Sequence, residues 1–168
     1  MEEKTFKVRW GVSVKIFTAI ILIALLSSMI VVIRNFLSHD YSSNSLIIFL
    51  VLLLICVFSL WESPRLIKIN ENEILLQKII GQLVIHIDSI VYIEPYKPDK
   101  TDIRLFGIGG IGGFSGIFYN FNLGKYRAYI GDTSQAFLIV TEQRKKYVLS
   151  CENRDFAIST IKSFMMHI

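Results

Sequence analysis

Two apolar runs dominate the first third of the chain. Residues 16–33 carry no charged side chain, residues 45–61 carry none either, and residues 34–44 separate them. A helix rises about 1.5 Å per residue and the hydrocarbon core of a bilayer is about 30 Å thick, so each run is near the length needed to cross. Backbone N–H and C=O groups find no water in lipid, which makes both runs helices. The pattern predicts a transmembrane hairpin with spans at about 14–33 and 45–61, followed by a soluble domain over 62–168.

After Pro64 the apolar period changes to two. Residues 65–69 alternate as Arg-Leu-Ile-Lys-Ile, residues 70–72 read as a turn, and 73–79 form a second strand before Gly81. Residues 83–87 put Leu83, Ile85 and Ile87 on one face and Val84 and His86 on the other, and 90–96 continue as a strand. Further strands fall at 125–130, 136–141 and 146–150, with gaps short enough for hairpins. From 153 to 166 the spacing becomes helical, with Ala157, Ile158, Ile161, Phe164 and Met165 in the stripe and Asn153 placed as N-cap. Phe156 and Ile161 are expected as its main buried contacts. One helix closing a run of antiparallel strands predicts an α+β fold, a sheet or open barrel capped by a helix.

Charge sets the orientation. The net charge is +4, and Lys4, Lys7, Arg9 and Lys15 precede the first run, whereas Arg34 alone lies between the runs. Arg65, Lys68 and Lys78 follow the second. Positive residues stay inside, so both termini are expected in the cytoplasm, with Trp10 and Trp61 at the same interface. The length of the first run, with no small-residue cleavage site after it, speaks against a signal peptide. The soluble part has no clustered basic face of the kind that binds nucleic acid. Cys56 lies in a span and Cys151 near the C-terminus, so no disulfide is expected. His39, His86 and His167 are scattered, which gives a metal site no support.

Several motifs suggest chemistry and fail on context. Gly107-Ile108-Gly109-Gly110-Ile111-Gly112 matches the dinucleotide fingerprint, and Asp132 follows at about the spacing of a ribose-binding acid. The fingerprint needs a helix to begin at the glycines, and the sequence that follows is strand-like. The glycines are read instead as positions of positive φ or close packing. Ser115 misses the nucleophile-elbow pattern. Asp99 and Asp102, with Lys97 and Lys100, read as a solvated loop, and Arg144-Lys145-Lys146 as a solvated hairpin tip. Ser27 and Ser28 are expected to bond their own helix backbone. No catalytic, cofactor-binding or metal-ligating residue is predicted.

A longer pattern is more specific. It runs Arg104-Leu105-Phe106-Gly107, Gly109-Gly110, Gly113-Phe114-Ser115-Gly116-Ile117-Phe118 and Gly124-Lys125-Tyr126-Arg127-Ala128-Tyr129. Tyr147-Val148-Leu149-Ser150 and a helix containing Phe156 complete it. This resembles the bacterial PH-like domains of small membrane proteins, which often carry a transmembrane hairpin ahead of the domain. Cys151 stands where such domains often have proline. The resemblance implies a bent antiparallel barrel with a C-terminal helix over one open end, and it implies no catalytic residue or defined ligand. Phosphoinositide-binding PH domains use basic residues in their first hairpins, and Lys78, Gly81 and Gln82 supply too little charge there.

The expected function is a non-enzymatic interaction module held at the inner face of the cytoplasmic membrane. Its partners would be the bilayer and either a protein or further copies of itself. The alternative is a module sensing anionic lipid through Arg144, Lys145 and Lys146 with Lys97 and Lys100.

Overall fold

The computed structural model describes residues 3–38, 43–99 and 101–166. Strand β1 (Lys4–Lys7) precedes two helices, α1 (Val12–Leu37) and α2 (Ser43–Trp61). Then come β2 (Pro64–Ile69), β3 (Glu73–Lys78), β4 (Gln82–His86), β5 (Ile90–Pro95), β6 (Ile103–Gly109), β7 (Phe114–Asn120), β8 (Gly124–Ile130), β9 (Ala136–Thr141) and β10 (Lys146–Ser150). Helix α3 (Arg154–Met165) closes the chain.

Both α1 and α2 are long and apolar enough to cross a membrane, and most of their large apolar side chains are exposed. Ser27 Oγ donates to the Ala24 carbonyl at 2.9 Å and Ser28 Oγ to that of Leu25 at 2.8 Å, so these hydroxyls serve their own helix. The two helices pack on each other, with Asn35 Nδ2 donating to Ser45 Oγ at 3.1 Å.

Strand β1, like β6 and β7, is an element that periodicity did not reveal. It pairs antiparallel with β2, Lys4 opposite Ile69 and Lys7 opposite Leu66. The residues after it go on bridging: Val8 N–H donates to the Arg65 carbonyl and Gly11 N–H to that of Gly131, both at 2.9 Å. A four-residue strand is too short for an alternation signal, and its lysines read as orientation charges instead. Phe6 and Val8 are nevertheless buried in the domain's core.

The strands make two sheets that do not close into a barrel. One has the order β1-β2-β3-β4 and the other β5-β9-β10-β8-β7-β6. The chain leaves the first sheet through a short 3-10 turn, Ile87–Ser89, and enters the second at its edge. Strand periodicity locates strands but carries no information on the tilt and stagger that closure requires. The pairing also departs from a simple meander. β8 and β9 are not neighbours; β9 sits between β5 and β10, and β8 runs parallel to β10. All six residues of β9 are buried, which explains its unbroken apolar run Ala-Phe-Leu-Ile-Val.

The main core lies between the sheets and α3. Ile67, Ile69, Ile74 and Leu76 meet Phe137, Ile139 and Leu149, with Ala157, Ile158 and Ile161 from the helix. The opposite face of the six-stranded sheet carries a second cluster, including Phe118, Tyr126, Leu138 and Val148, with Tyr96 packed against it. Asp102 pins the segment crossing that face: its carboxylate accepts from Asn120 Nδ2 at 2.6 Å, the Asp99 N–H at 2.7 Å and the Tyr96 hydroxyl at 3.3 Å.

Phe156 corrects the reading of α3. It is 54% exposed, while Ile161 is fully buried. A helical step of about 100° puts residue 156 nearly opposite the stripe centred on 157, 158 and 161. Its ring lies 5.9 Å from that of Phe6, which is its link to β1. Asn153 is left-handed, with φ 54°, and its side chain makes no capping bond. Thermal melts of the full chain should rank the contacts. Ile161→Ala should cost about 2–5 kcal/mol and Phe6→Ala about 3–5. Phe156→Ala should cost no more than the roughly 0.5–1.5 kcal/mol of one aromatic contact. A melt of Phe156→Ala as low as that of Ile161→Ala would contradict the packing.

Candidate functional site

The glycine tract lies on a β-hairpin, at the end of β6, the turn and the start of β7. No helix begins there, so the tract offers no helix N-terminus to a pyrophosphate. Its glycines allow close approach. Gly107 and Gly116 face each other with φ of 121° and 142°. A Cβ on Gly107 would strike the Ser115 carbonyl, and one on Gly116 that of Phe106.

The tip of this hairpin is bolted to the helices. Thr18 Oγ1 on α1 donates to the Gly110 carbonyl at 3.2 Å and accepts from Gly112 N–H at 3.3 Å. Ser63, just past α2, donates to the Gly112 carbonyl. Ser115 Oγ donates to the Glu62 carbonyl at 2.9 Å, so this hydroxyl holds the helix exit to β7. Thr18 and Val14 are buried on an otherwise exposed helix. The Thr18 pair was invisible in the sequence because its partners are backbone groups more than ninety residues away.

A groove opens along β7, β8 and β10. It has a volume of about 380 Å³ and is lined by Ile117, Lys125, Tyr126, Arg127 and Tyr147 with the turn residues Arg144, Lys145 and Lys146. The ladder dictates this grouping. Arg127 lies opposite Ile117 on one side and Tyr147 on the other, while Lys125 lies opposite Tyr119. Arg127 also reaches a second hollow of about 270 Å³, shared with Phe58, Glu62, Lys78, Phe106 and Tyr129. There Lys78 Nζ lies 2.9 Å from Glu62 and 5.7 Å from the Tyr129 ring centre.

The structure thus joins the predicted tip Arg144–Lys146 to Lys125 and Arg127, which sequence reading passed over. Their signal was the alternation Lys-Tyr-Arg-Ala-Tyr, which sets two cations on one strand face. Lys97 does not line this groove, and Lys100 lies outside the described residues. Among the described residues no cluster of His, Cys, Asp and Glu is arranged to hold a metal ion.

Residues 66–163 match a family model described as bacterial PH domain. The chain belongs to the bacterial PH domain family. No curated protein and no solved structure matches it. PH domains are generally non-catalytic binding modules. In this bacterial PH domain the two apolar helices precede the matched stretch, and β1 adds a strand from ahead of them.

Two measurements check these assignments. Thr18→Val keeps the shape and removes both bonds to the glycine turn. Deuterium exchange at residues 109–113 should quicken in the full chain, by the equivalent of about 1–3 kcal/mol for buried groups left unpaired. Unchanged protection would mean that Thr18 does not hold the turn.

The second measurement is alkaline stability. Burial pushes the Cys151 thiol from 9.0 up to about 12. Burial, then the charge of Asp102, pushes Tyr96 from 10.0 up to about 12, and the same causes raise Tyr126. The folded state keeps protons that the unfolded chain gives up, so stability is full below about pH 9 and falls as pH climbs toward 12. The melting temperature should decline from pH 9, and Cys151→Ala should delay the onset to about pH 10. A flat profile across this window would contradict the burial of these groups.

Proposed function

We propose that this bacterial PH domain is a non-enzymatic interaction module anchored in the cytoplasmic membrane by α1 and α2, docking a protein partner in the basic groove. The observation that carries the reading is the pairing of β1 with β2 across the two apolar helices. It requires both ends of the helical pair to lie on the domain's side. That agrees with the excess of Lys and Arg ahead of the first helix over the single Arg34 between the helices. Domain and anchor then move as one body, because the glycine turn, Ser63 and Gly11 tie them at separate points.

The alternative, sensing of anionic lipid, uses the same cations, and their placement speaks against it. Ile130 and Gly131 lie beside the helix bases, where Gly11 N–H meets the Gly131 carbonyl. Lys125 is five residues back along β8, about 16 Å farther from the helices at roughly 3.3 Å per residue. The Arg144 turn lies at that same far end. The Lys125 and Arg144 end of the groove is thus remote from the helices, while Arg127 lies nearer to them, in the hollow shared with Phe58 of α2.

Labelling decides both points. In a chain otherwise free of reactive cysteine, Ser38→Cys should react with an impermeant reagent on intact cells, and Glu71→Cys only after permeabilisation. The reverse pattern would overturn the orientation. A fluorophore on Lys125→Cys, in nanodiscs, should be insensitive to spin-labelled anionic lipid. Quenching that grows with anionic lipid content would replace protein docking by lipid sensing.

A further inference from the structure

The groove gathers its cations on adjoining strands and one turn with no carboxylate among them. Elsewhere Arg9 pairs with Glu152, Lys68 with Glu3, Lys78 with Glu62 and Arg154 with Asp155. In the groove, Lys125, Arg127, Arg144 and Lys145 have no carboxylate partner among the described residues, and none of the lining side chains is acidic. Lys146 is turned inward, its Nζ donating to the Leu123 carbonyl. Like charges gathered on adjoining strands repel one another, so the arrangement costs the fold stability that a mixed surface would keep.

Backbone strain points to the same place. Arg144 has φ 57°, one of two non-glycine residues with positive φ among those described. Its N–H donates to the Thr141 carbonyl at 2.8 Å, and Thr141 N–H to the Lys145 carbonyl at 3.0 Å, closing a tight turn. Glycine would fill this position without strain. An arginine there gives up stability and sets a guanidinium on the groove's rim.

The floor between the cations is not polar. Ile117 is half-buried and Tyr147 is buried. A ligand complementary to this surface carries several carboxylates at strand-like spacing and at least one apolar side chain. An inorganic anion would leave the floor bare. A bilayer around the helices would lie remote from Lys125 and the Arg144 turn.

We propose that the groove binds an extended acidic segment of a partner protein, carboxylates paired with Lys125, Arg127, Arg144 and Lys145 and an apolar residue seated on Ile117 and Tyr147. This rests on the reading of the domain as an interaction module and names the chemistry of its partner.

The test uses the full chain in nanodiscs of neutral lipid and a fluorescent peptide of alternating glutamate and leucine. Anisotropy should report saturable binding that weakens as salt is added. The Lys125→Glu, Arg127→Glu double variant should lose affinity by about tenfold or more, the loss of at least two exposed ion pairs with repulsion added. Arg144→Gly should bind a few-fold more weakly while melting at a higher temperature, which separates lost contact from lost fold. A peptide of alternating glutamate and serine should bind more weakly than the leucine peptide. Equal binding by the double variant, or an Arg144→Gly protein with unchanged affinity, would overturn the proposal. So would preference for phosphatidylglycerol vesicles over the peptide. If the peptide fails while the Lys125→Cys fluorophore stays insensitive to anionic lipid, the acidic segment is wrong and the module reading stands. If the fluorophore is quenched, the module reading itself fails.

Discussion

The ladder between β1 and β2 is the constraint on which the rest of the molecule depends. It makes the whole helical pair a loop within one antiparallel pairing, so the ends of α1 and α2 cannot drift apart. It also brings Phe6 and Val8 into the core, where Phe6 stands over α3. The extension past β1 then reaches the other sheet, through Gly11 to Gly131 and Glu152 N–H to the Lys7 carbonyl. Two sheets that do not close on each other are therefore stitched at one end by the segment that leads into the first helix.

The glycine hairpin completes this arrangement from the opposite direction. Backbone atoms of residues 110 and 112 come against Thr18 and Ser63, an approach that side chains on the turn would prevent. With one end of the six-stranded sheet fixed at the helices, Lys125 and the Arg144 turn lie at its far end. The same register that aligns Arg127 with Ile117 and Tyr147 leaves the basic face uncovered.

Much of this was legible in the sequence. Both helices, the strands from β2 to β5 and from β8 to β10, and α3 follow from apolar period, length and turn residues. The rejection of the glycine tract as a nucleotide site followed from the strand-like residues after it. What stayed hidden was partnership. Lys4–Lys7 is too short to alternate visibly, and the parallel pairing of β8 with β10 has no local signal. Phe156 was misjudged because hydrophobicity was weighed ahead of angular position. The groove was half-seen: the run Arg144–Lys146 stands out in the chain, whereas Lys125 and Arg127 join it only through the ladder.

The closure of β1 on β2 has a consequence for how the molecule is made. β1 emerges from the ribosome well before its partner, with both helices still to come. On the membrane-anchored reading, its binding place forms only after the second helix has returned the chain to the starting side. A chain in which only one of the two helices crossed would strand Phe6 and Val8 across the bilayer from their core. The domain would then lack a strand and expose the apolar edge of Ile67 and Ile69. Correct insertion and correct folding become one event, and an error in the first is displayed on the surface of the second, where proteolytic quality control acts.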